Sequence, residues 1–195
     1  MPSFAVNRKW TVPQIEQAMT RPHIILPLGQ NWNGYDFVRA SDGFGVYAPG
    51  GEHNAAEDSV FCFRSGEIWS TNAFLVTAYR AANNALIAPV LASPEKHLID
   101  GLNNYMGFLE SRLEIDRPYT WIAGIEGIKG MRLSYPPPPN SAWAGGNGLG
   151  GATVDSVELR GEISIGQSAK DALKPFLEEL FGAFALERPS YLDSY

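Results

Sequence analysis

The sequence predicts an α+β fold: a single domain in which an antiparallel or mixed sheet is flanked by helices. Two hairpin signals, 36-DFVRA-40 with 44-FGVYA-48 and 59-SVFCF-63 with 67-EIWST-71, are each split by a short turn of strand-breaking residues. Two longer stretches, 94–114 and 168–184, carry apolar residues at three- and four-residue steps. The chain of 195 residues, 45% of them hydrophobic, is long enough to bury one core without staples.

The elements follow in order. In 11-TVPQ-14, Thr11 is an N-cap and Gln14 can reach back to it, with Pro13 in a first turn that needs no amide donor. The helix runs to about Met19, with Val12, Ile15 and Met19 on one stripe. The segment 24-IILPL-28 reads as buried and extended, and 29-GQNWNG-34 as a turn. The first hairpin turns at 41-SDG-43, and the linker 49-PGGEHNAAED-58 separates it from the second, which turns at Ser65-Gly66. One register of that second hairpin brings Phe61, Phe63, Ile68 and Trp69 into contact across the pair.

From Asn72 to Ala82 the spacing of Phe74, Leu75, Ala78 and Tyr79 is helical, and Asn83-Asn84 ends it. Ser93 and Pro94 then open the long helix, whose stripe is Leu98, Leu102, Tyr105 or Met106, Leu109 and Leu113. Strands are expected at 119-YTWIAGI-125, 131-MRLSY-135 and 154-VDSVELRGEI-163. The closing helix is 168–184, where Pro175 either kinks it or marks its start. The expected organisation is a helix and hairpin in 1–57, a core in 58–195, and a Pro/Gly-rich loop over 136–152.

Net charge is −6, and residues 136–195 hold four Lys/Arg against eight Asp/Glu, so most of the acidic excess lies there. That balance disfavours nucleic acid as a partner. The single Cys62 rules out an internal disulfide and a multi-cysteine metal cage, and points to a reducing compartment. The longest apolar run, 85-ALIAPVLA-92, is short of a membrane span, and MPSFAVNRKW lacks a signal-peptide core. A cytoplasmic protein with no membrane contact is the expectation.

The stretch 146-GNGLGG-151 spells G-x-G-x-x-G, the turn that cradles a dinucleotide pyrophosphate. That turn needs a strand running into it and a helix leaving it. Here 136-PPPPNSAWAG-145 stiffens the approach and 152-ATVDSVELRGEI-163 leaves as a strand, so no nucleotide cofactor is expected and the segment reads as a flexible bridge between two strands. Trp143 within it is costly to leave in water, so the loop buries it or presents it to a partner.

Other candidates for chemistry have plainer readings. Cys62 alternates with Phe61 and Phe63 in a strand and reads as a buried structural thiol, not the partner of His23, His53 or His97. His53 lies among Glu52, Glu57 and Asp58 on a solvated loop, without a second histidine at metal-ligand spacing. His97 is expected to be exposed in the first turn of its helix. Arg112, Arg117, Lys129 and Arg132 interleave with Glu110, Glu114, Asp116 and Glu126, which suits a mixed, salt-bridged surface. No residue is nominated as catalytic or metal-binding, and no cofactor is expected.

The order of 59-SVFCFRSGEIWSTNAFL-75, 93-SPEKHLIDGLNNYMGFLE-110, 119-YTWIAGIEGIKGMRL-133, 154-VDSVELRGEI-163 and 173-LKPFLEELFGAFALERPSYLD-193 resembles the region downstream of the AlbA_2 module in bacterial Schlafen-type putative DNA-binding proteins. Arg64, Gly66, Gly124, Gly127 and Gly130 carry the resemblance. The AlbA_2 module itself is absent from residues 1–57, so no nucleic-acid or nucleotide role transfers; the resemblance implies only a companion domain. The leading expectation is a non-catalytic accessory module that binds a protein partner in a bacterial-type cytosolic complex, through the 136–152 loop and nearby aromatics. Trp143, Trp69, Trp121, Arg64 and Gly127 are its candidate contact residues. The rivals are an enzyme or small-ligand binder where Trp69, Trp121 and 124-GIEGIKG-130 meet, and a nucleic-acid-associated protein.

Overall fold

Thr11 begins the first helix as its sequence suggests: its amide and hydroxyl both donate to Gln14 Oε1, at 2.8 and 2.9 Å. The structure, a computed structural model, describes residues 9–29, 34–49, 56–73, 76–80, 86–92, 94–138, 140 and 146–194. The chain divides into two units, Met1–Phe74 with Asp100–Arg117, and Leu75–Ile99 with Pro118–Tyr195. Both mix helix and sheet, so the α+β class is observed.

In the first unit, helix α1 (Val12–Thr20) buries Ile15 and Met19 against a four-stranded antiparallel meander. Its strands are β1 (Asp36–Arg39), β2 (Gly43–Pro49), β3 (Ala56–Phe63) and β4 (Ile68–Asn72), in spatial order β1-β2-β3-β4. Strand alternation sends Phe44, Val46, Val60 and Cys62 to the inner face, where Phe108 and Leu113 complete the core. Pairing fixes the offset of the second hairpin, which the sequence leaves open: Phe61 faces Trp69, and Ile68 pairs with Cys62 on the other face. Because the side-chain period is two, Ile68 cannot share a face with Phe61 once that pairing is set.

Helix α2 (Pro94–Arg112) starts at Pro94 as expected, and its stretch from Asp100 onward belongs to the first unit. Arg112 ties it to the last turn of α1 and the chain just after, donating from Nη1 to the carbonyls of Ala18 and His23 at 2.7 Å each. The segment 24–28 is extended but joins no sheet, and Ile25 within it is buried.

The second unit contains a mixed sheet of β5 (Val76–Arg80), β6 (Leu86–Ala92), β8 (Arg132–Tyr135) and β9 (Gly146–Gly151). A helix expected over 72–82 is replaced by strand β5. Its six-residue apolar spacing fits either period, and pairing with β6 decides between them. Strand β6 runs parallel to β8 from Val90 to Ala92, so Pro89 falls just before the residues of that parallel ladder.

The same unit holds a ribbon of β7 (Tyr119–Glu126) and β10 (Ser156–Ile163), paired along eight residues. Helix α3 (Ala169–Ala183) covers one face of it. Ser168 Oγ accepts the Asp171 amide at 3.1 Å and donates to Asp171 Oδ2 at 2.6 Å, so α3 begins there and Pro175 lies inside it. Phe176, Leu177, Leu180 and Phe181 are fully buried; each such side chain contributes about 1.5–3 kcal/mol. The helix ends with Ala185 at φ 54°, while the Leu186 amide reaches Phe181 O at 3.0 Å and the Ala185 amide reaches Gly182 O at 2.9 Å. This is a Schellman closure with alanine where glycine is usual. A short 3-10 helix, Ser190–Ser194, follows.

Candidate functional site

The inner face of the first unit's sheet is filled by its core, which leaves the outer face as the surface to account for. Registers place Val38, Gly45, Phe61 and Trp69 in one row across β1 to β4. Two glycines make room for the ring in the middle. A Cβ on Gly45 would lie 2.7 Å from Phe61 Cδ2 and 2.9 Å from Val38 Cγ1, and one on Gly43 would strike both the Phe61 ring and the Cys62 carbonyl. Phe61 therefore lies flat across the bare backbone of β2 and packs against Phe63, with ring centres 4.7 Å apart. At the ends of the row Val38 is 44% exposed and Trp69 60% exposed.

The indole is held in place. Its Nε1 donates to Glu67 Oε1 at 2.7 Å, which sets a carboxylate at the rim of the patch. Asp36 lies on the same face by alternation with Val38. The surface is thus an aromatic row bordered by acids.

Behind the sheet, a buried polar cluster holds the 24–28 segment against β4. Ser70 Oγ accepts the Leu28 amide at 3.0 Å and donates to Ser59 O at 2.9 Å, and the Tyr105 hydroxyl lies 2.8 Å from it. Asn72 Nδ2 donates to Leu28 O. Asp58 is fully buried beside this cluster and accepts the Ala73 amide at 3.1 Å. Burial first, and the Asp58 charge second, raise the Tyr35 hydroxyl above its ordinary pKa. Burial chiefly raises Tyr105, with the Asp58 charge adding to it. Both phenols stay protonated at neutral pH, and Tyr105 donates to Ser70 Oγ. The cluster's chemistry is that of a buried hydrogen-bond network.

An open groove of about 700 Å³ lies between α1 and the end of α2, lined in part by Trp10, Gln14, Arg21, Arg112 and Glu114. Arg112 is engaged there by two backbone carbonyls, and Glu114 is the one carboxylate among the lining residues. Among its described lining residues the groove shows no acid–base pair of the kind that general catalysis uses. Among the described residues, no group of three or more His, Cys, Asp or Glu could hold a metal ion, and no helix is long and apolar enough to cross a membrane.

The five candidate contact residues have different surroundings. Trp69 is exposed on the outer face, as a contact residue needs. Arg64 is spent locally: its Nε donates to Trp10 O at 2.8 Å and its amide to Asp42 O at 2.7 Å, so it pins the β3–β4 turn to the start of the chain. Trp121 belongs to the other unit and is only 8% exposed. Its indole covers Gly161, where a Cβ would lie 2.5 Å from Cζ2, and its buried Nε1 has no acceptor among the described residues. Gly127, at φ 73°, makes the turn after β7. Trp143 lies outside the described residues, as does His53.

The glycine stretch is corrected in one respect. Gly146–Gly151 is strand β9, paired with β8, where a flexible bridge was expected. Glycine allows this because the strand ladder uses backbone groups that every residue carries. Cys62 is buried, and desolvation pushes its thiol up to about 12, the property of a structural cysteine. His97 is partly buried, not exposed as expected, although it sits in the first turn of α2. Arg117 pairs with Glu110 at 2.6 Å, one of the mixed salt bridges that the charge pattern suggests. The sign of exposure for Trp69 and Trp121 was not in the sequence, since both stand in alternating strands.

The sequence matches no protein-family model, and comparison with curated proteins and with solved structures found no match.

Proposed function

We propose that the chain is a non-catalytic interaction module and that its outer β1–β4 face docks a protein partner. The observation that carries this reading is Trp69, 60% exposed at the end of an apolar row on a sheet whose other face is filled. The partner's chemistry follows from the rim. With Glu67 hydrogen-bonded to the indole and Asp36 on the same face, the fitting surface is an apolar side chain flanked by Lys or Arg, which can rest on the electron-rich ring. The chain's net charge of −6 favours the same sign of partner. A companion role of the kind that the Schlafen-type resemblance implies accords with it.

The test is co-purification from the native cell with wild-type and Trp69→Ala chains, followed by titration of the protein recovered. A Trp at the centre of an interface is worth about 2 kcal/mol or more, so Trp69→Ala should weaken binding at least ~30-fold with the circular dichroism unchanged. Recovery of the same proteins at the same affinity by both chains would sink the proposal. Retention of wild-type protein on DNA with a steep salt dependence would favour a nucleic-acid role instead.

A further inference from the structure

Strand β1 lies at the edge of the first unit's sheet, and all four of its residues, Asp36–Arg39, are exposed. Among the described residues its one ladder partner is β2. The other edge is treated differently: side chains of Ser70 and Asn72 in β4 bond the backbone of Leu28. An open edge offers hydrogen-bonding groups to a further strand, and the identity of that strand can be argued from the register.

The Ala40 amide donates to Gly43 O at 3.0 Å, which makes Ala40 and Gly43 a hydrogen-bonded pair at the hairpin end. Antiparallel ladders alternate, so Val38–Gly45 and Asp36–Tyr47 are bonded pairs too. The amides and carbonyls of Phe37 and Arg39 are then the ones that point to the open edge. An antiparallel strand added there must match bonded residues to bonded residues. For β1 against itself, the alignment that uses both outward residues of each chain sets Phe37 opposite Arg39 twice, with Val38 on the two-fold axis. Shifting by two residues one way sets Arg39 opposite Arg39, each already paired with its own Glu16, and takes Phe37 beyond the strand. Shifting the other way sets Phe37 opposite Phe37 and takes Arg39 beyond the strand.

We propose that β1 pairs with β1 of a second copy of this chain, antiparallel about an axis through Val38. Four backbone hydrogen bonds close the edge, and the two sheets become one of eight strands. Phe37, which stacks on Phe44 at 5.8 Å and is 50% exposed in the single chain, comes to lie opposite Arg39 of the second copy, whose aliphatic stem covers it while its Nη2 stays bonded to Glu16 Oε1 at 2.6 Å. On the outer face the two Val38 side chains meet and join the two rows that end at Trp69. The interface is isologous, so it closes at a dimer.

The test is sedimentation velocity of the full chain over a concentration series. The expected result is a reversible dimer for the wild type, and monomers for Val38→Lys and for Val38→Glu, because each places like charges face to face on the axis. An equimolar mixture of the two variants should re-form a dimer. Circular dichroism checks that the variants fold, and Val38→Cys supplies a second reading. A non-bonded antiparallel pair sets Cα atoms about 4.5 Å apart, within disulfide reach, so this variant should cross-link on mild oxidation. The proposal is overturned by a monomeric wild type, by a dimer indifferent to both charges, by a mixture that stays monomeric, or by a Val38→Cys chain that does not cross-link. Trp69→Ala should leave the dimer mass unchanged, which separates this interface from partner docking.

Discussion

Replacing Arg188 by alanine should destabilise the second unit more than any surface ion-pair change. Arg188 has 5% of its side chain exposed and Glu95 has 14%. Nη2 of the arginine lies 2.5 Å from Glu95 Oε1 and Nε lies 3.2 Å from Oε2, a two-pronged contact that ties the first turn of α2 to the chain after α3. Nη1 also meets Asp193 at 2.7 Å, but that carboxylate is 43% exposed and solvent screens the contact, so Glu95 is the partner that matters. Removing the arginine leaves Glu95 desolvated without its partner, a change that costs about 3–5 kcal/mol in buried pairs. Urea unfolding followed by far-UV circular dichroism measures it, with hydrogen exchange of the α3 amides reporting the unit directly. The double variant Arg188→Met, Glu95→Leu should recover most of the loss, since replacing both charges by apolar groups removes the desolvation penalty. A loss below about 1 kcal/mol for Arg188→Ala, or a double variant no more stable than the single one, would show that the pair is solvated and the reasoning wrong.

Three further outcomes follow from local geometry. Ala185→Gly should raise stability by about 0.5–1 kcal/mol, read as a higher melting temperature, because alanine at φ 54° carries a strain that glycine lacks. Native Cys62, buried with its pKa near 12, should ignore a thiol-specific chromogenic reagent at pH 8 and react fully once denaturant is added; rapid native labelling would contradict its burial. Hydrogen bonds from Arg188 first and Lys174 second hold Asp193 below its ordinary 3.8. Its contribution is therefore present above that value and lost as the pH falls through the depressed one. The stability gap between wild type and Asp193→Asn should be full at neutral pH and vanish in strong acid, as paired denaturation curves would reveal.

Elements whose signals are local were legible in the sequence. Ser93-Pro94 and the long apolar stripe announced α2, and Ser65-Gly66 marked a hairpin turn, because turn chemistry and helical period act within a few residues. The place of Cys62 between two phenylalanines in a strand marks a buried thiol, and it is buried. Strand pairing is where local reading failed. Residues 76–80 fit a short helix or a strand equally well, and pairing with β6 made them β5. Gly146–Gly151 is four-sixths glycine and has no alternating apolar pattern to announce a strand, yet β8 recruits its backbone as β9.

The candidate surface shows the same division. The sequence determined that Trp69 and Trp121 would stand in alternating strands, each with one face to bury, because the β period is written in consecutive residues. Only the tertiary structure decided their fates. Helix α3 covers the face that carries Trp121, whereas the core fills the face opposite Trp69, and the glycines of β2 lay Phe61 flat beside it. A side chain's exposure depends on what distant segments place over it, and that is a property of packing across the whole chain, which no window of sequence contains.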